Sequence, residues 1–312
     1  MSMSRVNDKS LYANPVLASL YQQGFRFQTN MGQHFLFNSF LLQQIVHRAG
    51  IEAGDVVIEA GAGAGSLSEV LANMGTQLIA IELDRALIPF LQNRFRDNPA
   101  VDIVHGDVMK LDLDRLAEEK EGKGDNSGNS GECSRWYKLC ANLPYNISTP
   151  FITLCFRQWK GLASGAVLLQ KEVADKVTAK PGEDGYGMLS LAANWYGKVE
   201  QAMDIDPNYF IPRPPVDSAL VTFTHIPHDF AVDEKALWLV IRALFNQRRK
   251  NVQNGLKSLS PMQPRGDRSW ATVLELSGID AQRRPETLSL MDFVSIVTTA
   301  GYTAEEGRET DD

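Results

Sequence analysis

The chain has 312 residues, 44% of them apolar and 22% charged. That length and balance admit a sizeable core with room for a second, smaller domain, and they exclude a disordered or low-complexity chain. The formal net charge of −7 argues against a uniformly basic nucleic-acid binder, but the charge is unevenly placed: residues 242–268 carry seven Lys or Arg against one acid, Asp267.

In chain order, Leu17, Leu20 and Tyr21 have helical spacing. Val56–Glu59 is a short apolar run that ends in glycines, followed by a helical face of Leu67, Val70, Leu71 and Met74. Gln77–Glu82 reads as a second strand, Leu87, Phe90 and Leu91 as a helix, and Val101–His105 as a third strand ending at Gly106-Asp107. Residues 118–135, rich in Gly, Ser, Asn and charge, have little to bury and predict a flexible surface loop. Strands are expected again at Tyr137–Ala141 and Gly165–Gln170, with a late pair at Val199–Ile205 and Ala219–Thr224. Beyond residue 228 the signal is helical, at Leu237–Phe245, Leu274–Ser277 and Leu290–Val297. Alternating strands and helices predict a doubly wound α/β domain over 1–228, then a small all-helical domain over 229–302 and an acidic, disordered tail over 303–312.

Three cysteines, Cys133, Cys140 and Cys155, form no Cys-x-x-Cys pair, and the histidines have no metal-ligand spacing. Neither a disulfide framework nor a metal site is expected. No run is long and apolar enough for a membrane span or signal peptide, so a cytoplasmic protein is expected.

The first strand runs into Glu59-Ala-Gly61-Ala-Gly63-Ala-Gly65. Glycines there permit a tight turn and close approach of a ligand to the backbone, although a plain glycine turn has the same composition. Glu82 lies 21 positions after Gly61, where doubly wound folds place the acid that accepts a ribose diol. Asp107, at the third strand end, would receive an adenine amino group. The competing reading is that both acids cap the helices that follow.

After the fourth strand comes Asn142-Leu143-Pro144-Tyr145. It resembles the Asn/Asp-Pro-Pro-Tyr motif of methyltransferases acting on exocyclic amines, and in its longer form the ribosomal RNA adenine dimethylase family. Gly32-Gln33-His34-Phe35-Leu36, Leu169–Val173, Tyr186-Gly187, Phe210–Ala219 and Phe245–Lys250 are similar to that family's segments as well, so the resemblance spans about residues 26–298. It implies a Rossmann-like S-adenosyl-L-methionine methyltransferase sheet and transfer of methyl groups to N6 of two adjacent adenosines near the 3′ end of small-subunit rRNA, during ribosome biogenesis. By the same resemblance His34, Leu36, Gly61, Glu82, Asp107 and Asn142 contact the cofactor. His34 departs from the commoner Asn, and Ala62 stands where the family often has Pro. The partner implied is the small-subunit assembly particle, the protein acting as a monomer.

The adenine N6 lone pair is delocalised into the ring, which makes the amine a poor nucleophile. Acceptors on Asn142 Oδ1 and the Leu143 carbonyl would draw it toward tetrahedral geometry, Pro144 fixing the turn. Tyr145 would stack on the extruded base and favour the developing positive charge, and Phe210 would close the other side of the base. Arg248, Arg249, Lys250 and Lys257 are expected to face RNA phosphates from one side of a helix. The large-subunit enzymes of macrolide resistance share the Asn-x-Pro-Tyr motif. A non-catalytic assembly factor and a nicotinamide oxidoreductase fit the residues less well.

Overall fold

The computed structural model describes residues 14–22, 24–26, 33–122, 136–144, 147–228, 230–247, 249–257, 259 and 262–304. The chain divides into two compact units, one formed by residues up to 174 with 198–225, the other by 175–197 with 226 onward. The sequence placed a single boundary near 228. The second unit also takes in residues 175–197, and residues 186–187 pack on its later helices. Within that unit the Tyr186 hydroxyl donates to the Leu288 carbonyl at 2.8 Å, and the ring of Phe245 lies 6.4 Å from Tyr186 and 6.1 Å from Phe293.

The first unit opens with α1 (Pro15–Gln22), whose first turn is capped by the Asn14 side chain. A two-residue strand β1 (Phe35–Leu36) and α2 (Ser39–Arg48) follow. Then strands and helices alternate: β2 (Val56–Ala60), α3 (Ser66–Asn73), β3 (Gln77–Glu82), α4 (Ile88–Phe95), β4 (Val101–His105), α5 (Leu113–Glu121), β5 (Tyr137–Asn142), α6 (Ser148–Arg157) and β6 (Leu162–Gln170). Strand β2 is buried at every position, as a central parallel strand covered on both faces must be. After α7 (Lys171–Thr178) and α8 (Met188–Tyr196) come β7 (Gly197–Ile205), β8 (Phe210–Ile211) and β9 (Ser218–His225).

The main sheet has the order β4-β3-β2-β5-β6-β9-β7. The pairs from β4 through β6 are parallel, and β9 lies antiparallel to β6. From β2 the chain builds outward to β3 and β4, then returns to add β5 on the other side. Order therefore reverses between β2 and β5, and the crevice outside the carboxyl ends of those two strands is where such sheets take ligands. Separately, β1 pairs antiparallel with β8, Phe35 opposite Ile211 and Leu36 opposite Phe210.

The expected loop from residue 118 is helical to Glu121. Asp112 caps α5 by accepting the Arg115 amide, Leu113 and Ala117 are buried, and Arg115 pairs with Glu119 one turn on. Local capping and an i,i+4 pair sustain a helix that polar composition concealed. The rest of that loop, residues 123–135, lies outside the described residues, as does the tail from 305.

The second unit is helical from 226 onward: α9 (Glu234–Phe245), α10 (Val252–Lys257), α11 (Trp270–Leu276) and α12 (Leu290–Thr299). Asp233 caps α9 through the Ala236 amide, and Ser289 with Asp292 forms a reciprocal capping box on α12. No helix among the described residues is long and apolar enough to cross a membrane.

Candidate active site

A cavity of about 270 Å³ opens at the carboxyl ends of β2, β3, β4 and β5. His34, Leu36, Gly61, Glu82, Asp107 and Asn142 all line it, together with Leu143 and Pro144. Neighbouring strands bring the two principal motifs together: Ala60 at the end of β2 is opposite Ala141 on β5. A Cβ on Gly61 would come within 3.5 Å of the Asn142 carbonyl oxygen. Gly63 has φ +56°, and a Cβ there would lie 3.2 Å from the Phe35 ring, so the loop needs glycine for both conformation and space.

Glu82 is 7% exposed. Its carboxylate accepts the Gly63 amide at 2.7 Å and the Asp84 amide at 2.8 Å, fastening the glycine loop to the end of β3. A carboxylate has about four acceptor sites, so two backbone bonds leave capacity for a ligand hydroxyl. Burial raises its pKa, opposed by those amides. Asp107 accepts the Met109 amide at 3.1 Å and its other oxygen lies 3.4 Å from Lys110 Nζ. Neither acid caps a helix: α5 is capped by Asp112, and α4 starts at Leu87 without a side-chain cap.

Beneath the loop sits Glu59, 1% exposed, with Oε2 making no hydrogen bond among the described residues. Burial pushes its pKa from 4.5 up to about 8; the nearby Ser68 hydroxyl and amide lower it, though Ser68 Oγ is not in hydrogen-bond geometry, and the Glu82 charge raises it further. In the sequence Glu59 stands out only as part of the glycine pattern.

The cavity rim is crossed by residues 33–36. Gln33 Nε2 donates to Asp84 Oδ2 at 2.9 Å. His34 Nδ1 lies 2.7 Å from the Pro212 carbonyl, which can only accept, so Nδ1 carries the proton. Asn142 Nδ2 donates to the His34 carbonyl at 3.1 Å. Gln33, Leu83 and Val108 also line the cavity and were not singled out from the sequence. Leu83 is 51% exposed. A leucine directly after an acid at a strand end was the available signal.

Phe210 is placed elsewhere. It is 3% exposed, packs in the main core and does not line the cavity. Its strand β8 pairs with β1, which sets Phe210 opposite Leu36 of the cavity lining. Tyr145 lies outside the described residues, as does Arg248. Arg249, Lys250 and Lys257 are exposed. Arg249 and Lys250 do not ride on a helix as expected, since α9 ends at Phe245. With Phe245, Asn246 and Gln247 they line a separate polar pocket of about 470 Å³.

A sequence profile described as ribosomal RNA adenine dimethylase matches residues 24–295. The chain is 39% identical over 278 residues to the Ribosomal RNA small subunit methyltransferase A of Geobacter metallireducens, covering 88% of this chain and 95% of that one. The enzyme of the same name from Geobacillus thermodenitrificans is 36% identical over 280 residues, covering 89% and 92%. Among solved structures, a dimethyladenosine transferase from Plasmodium falciparum superposes with a TM-score of 0.70 at 22% identity, covering 86% of this chain and 99% of that one. The 23S rRNA methyltransferase ErmE gives 0.62 at 19%, with the same coverage. These two likenesses establish the shared fold.

Proposed function

The chain belongs to the ribosomal RNA adenine dimethylase family, and from that premise we propose that its cavity binds S-adenosyl-L-methionine and directs two methyl groups onto N6 of adenosine in small-subunit rRNA. The supporting observation is the convergence of Gly61, Glu82, Asp107 and Asn142 on one cavity at the sheet's reversal point. The residues present suit this cofactor: Glu82 retains acceptor capacity for a ribose diol, Asp107 for an adenine amine, and the apolar Leu36, Leu83 and Val108 suit its uncharged surface. When bound, S-adenosylmethionine supplies an electrophilic methyl group.

The chain's own residues orient the amine. Asn142 uses its amide N–H on the His34 carbonyl, so Oδ1 is left as an acceptor for an N6 hydrogen. The Leu143 carbonyl supplies the second acceptor, and Tyr145 the stacking face. The amine then attacks without prior deprotonation, and catalysis rests on orientation and electrostatics. Extruding the base from its stack costs a few kcal/mol, recovered by stacking and the two acceptors.

The substrate is taken to be an adjacent adenosine pair near the 3′ end of the small-subunit RNA, presented on an assembly particle in the cytoplasm to a monomeric enzyme. Residues up to about 228 carry the cofactor chemistry, and Arg248, Arg249, Lys250 and Lys257 of the later segment contact RNA. Support comes from the names of the bacterial relatives and from the exposed cations. The test is a competition between small subunits lacking the modification and naked large-subunit RNA. Methylation confined to small subunits is expected; methylation of the large-subunit RNA alone would reverse the assignment.

A further inference from the structure

Residue 34 faces two parts of the site at once. Its carbonyl accepts Asn142 Nδ2 at 3.1 Å, while its ring donates Nδ1–H to the Pro212 carbonyl at 2.7 Å. The flanking residues are held as well, Gln33 by Asp84 and Phe35 by its pairing with Ile211. The ring thereby ties residue 34 to the connection following β8.

We propose that His34 is a positioning residue for methyl transfer, its imidazole anchoring the main-chain carbonyl that sets which way the Asn142 amide points. A carbonyl can face the amide NH2 but not the amide oxygen, since two oxygens would then confront each other without a proton. With residue 34 fixed, Oδ1 is therefore held as the acceptor toward the cavity. Without the ring bond, the residue 34 carbonyl loses one of its anchors, the amide reference loosens, and Oδ1 faces the incoming amine less often. The inference rests on reading the cavity as the methyl-transfer site.

The bond also defines which replacement conserves it. Asparagine carries Nδ2 on Cγ, at the same number of bonds from the backbone as histidine Nδ1, so His34→Asn keeps a donor for Pro212. His34→Leu removes the donor at similar bulk. Single-turnover rates on unmodified small subunits, and calorimetric binding of S-adenosylhomocysteine, separate the two roles. At saturating S-adenosylmethionine H34L is expected to slow transfer by about 10- to 100-fold, a loss in the rate itself beyond any change in its dissociation constant. H34N is expected to restore most of the rate. A wild-type rate in H34L, equal slowing in H34L and H34N, or a loss confined to cofactor affinity would each overturn the proposal. If H34L does not fold, His34→Gln takes its place, its donor displaced by one bond: slower transfer than H34N supports the role, and equal transfer contradicts it. A wild-type protein that binds no S-adenosylhomocysteine refutes the reading of the cavity itself, a different result from any shown by the variants alone.

Discussion

Glu82 at the end of β3 holds the Gly63 amide at 2.7 Å, so one carboxylate both shapes the glycine loop and faces the cavity that the loop encloses. Its replacement should therefore have two effects. Glu82→Ala is expected to weaken S-adenosylhomocysteine binding by about 10- to 100-fold, the worth of hydrogen bonds to a charged group. It should also lower stability by about 1–3 kcal/mol, because the Gly63 and Asp84 amides lose a buried acceptor. Calorimetry and thermal melting measure the two, and unchanged affinity would remove the ribose role.

Gly63→Ala tests the loop from the other side. At φ +56° an alanine costs about 1–2 kcal/mol, and its Cβ would press on Phe35 at 3.2 Å. Both lower stability and looser cofactor binding are expected, because Phe35 belongs to the segment crossing the cavity rim.

Glu59 gives the protein a pH signature. Its folded pKa of about 8 lies above the ordinary 4.5, so between those values the folded state holds a proton that the unfolded chain releases. Stability from this group is fully present below pH 4.5 and is lost as pH rises toward 8. The melting temperature of Glu59→Gln should thus fall less than that of wild type between pH 5 and pH 8, as followed by calorimetry. Parallel slopes would contradict the assignment.

The cations after α9 make a prediction about salt. If Arg249 and Lys250 each meet a phosphate, their replacement by Ala should reduce the slope of log affinity against log salt by about 1 per residue. Affinity for small-subunit particles measured across a potassium chloride series gives the slope. An unchanged slope would make this surface merely solvated.

Much of the site was legible because its signals are local. Glycines after an apolar run, an acid ending each of the next two strands, and Asn142 after the fourth all sit at strand ends that periodicity alone locates. What was not legible depends on distant partners. Strands of two residues, β1 and β8, carry no period of their own and exist only because Leu36 meets Phe210. The burial of Phe210 beside that pairing is likewise set by distant partners. Residues 186–187 join the second unit through Phe245 and Leu288, far along the chain. The helix running to Glu121 was hidden by its charge, since only two of its positions are buried.

In the proposed reaction Asn142 presents an acceptor to an adenosine amine beside the bound cofactor. The most direct test is nucleoside mass analysis of small-subunit RNA after incubation with S-adenosylmethionine and either wild-type protein or Asn142→Ala. Wild type should yield N6,N6-dimethyladenosine. Asn142→Ala should be slower by about 100- to 1,000-fold, with a stability change of about 0.5–1.5 kcal/mol for the lost bond to His34. Dimethyladenosine formed at the wild-type rate by Asn142→Ala, or none formed by the wild type, would contradict the account.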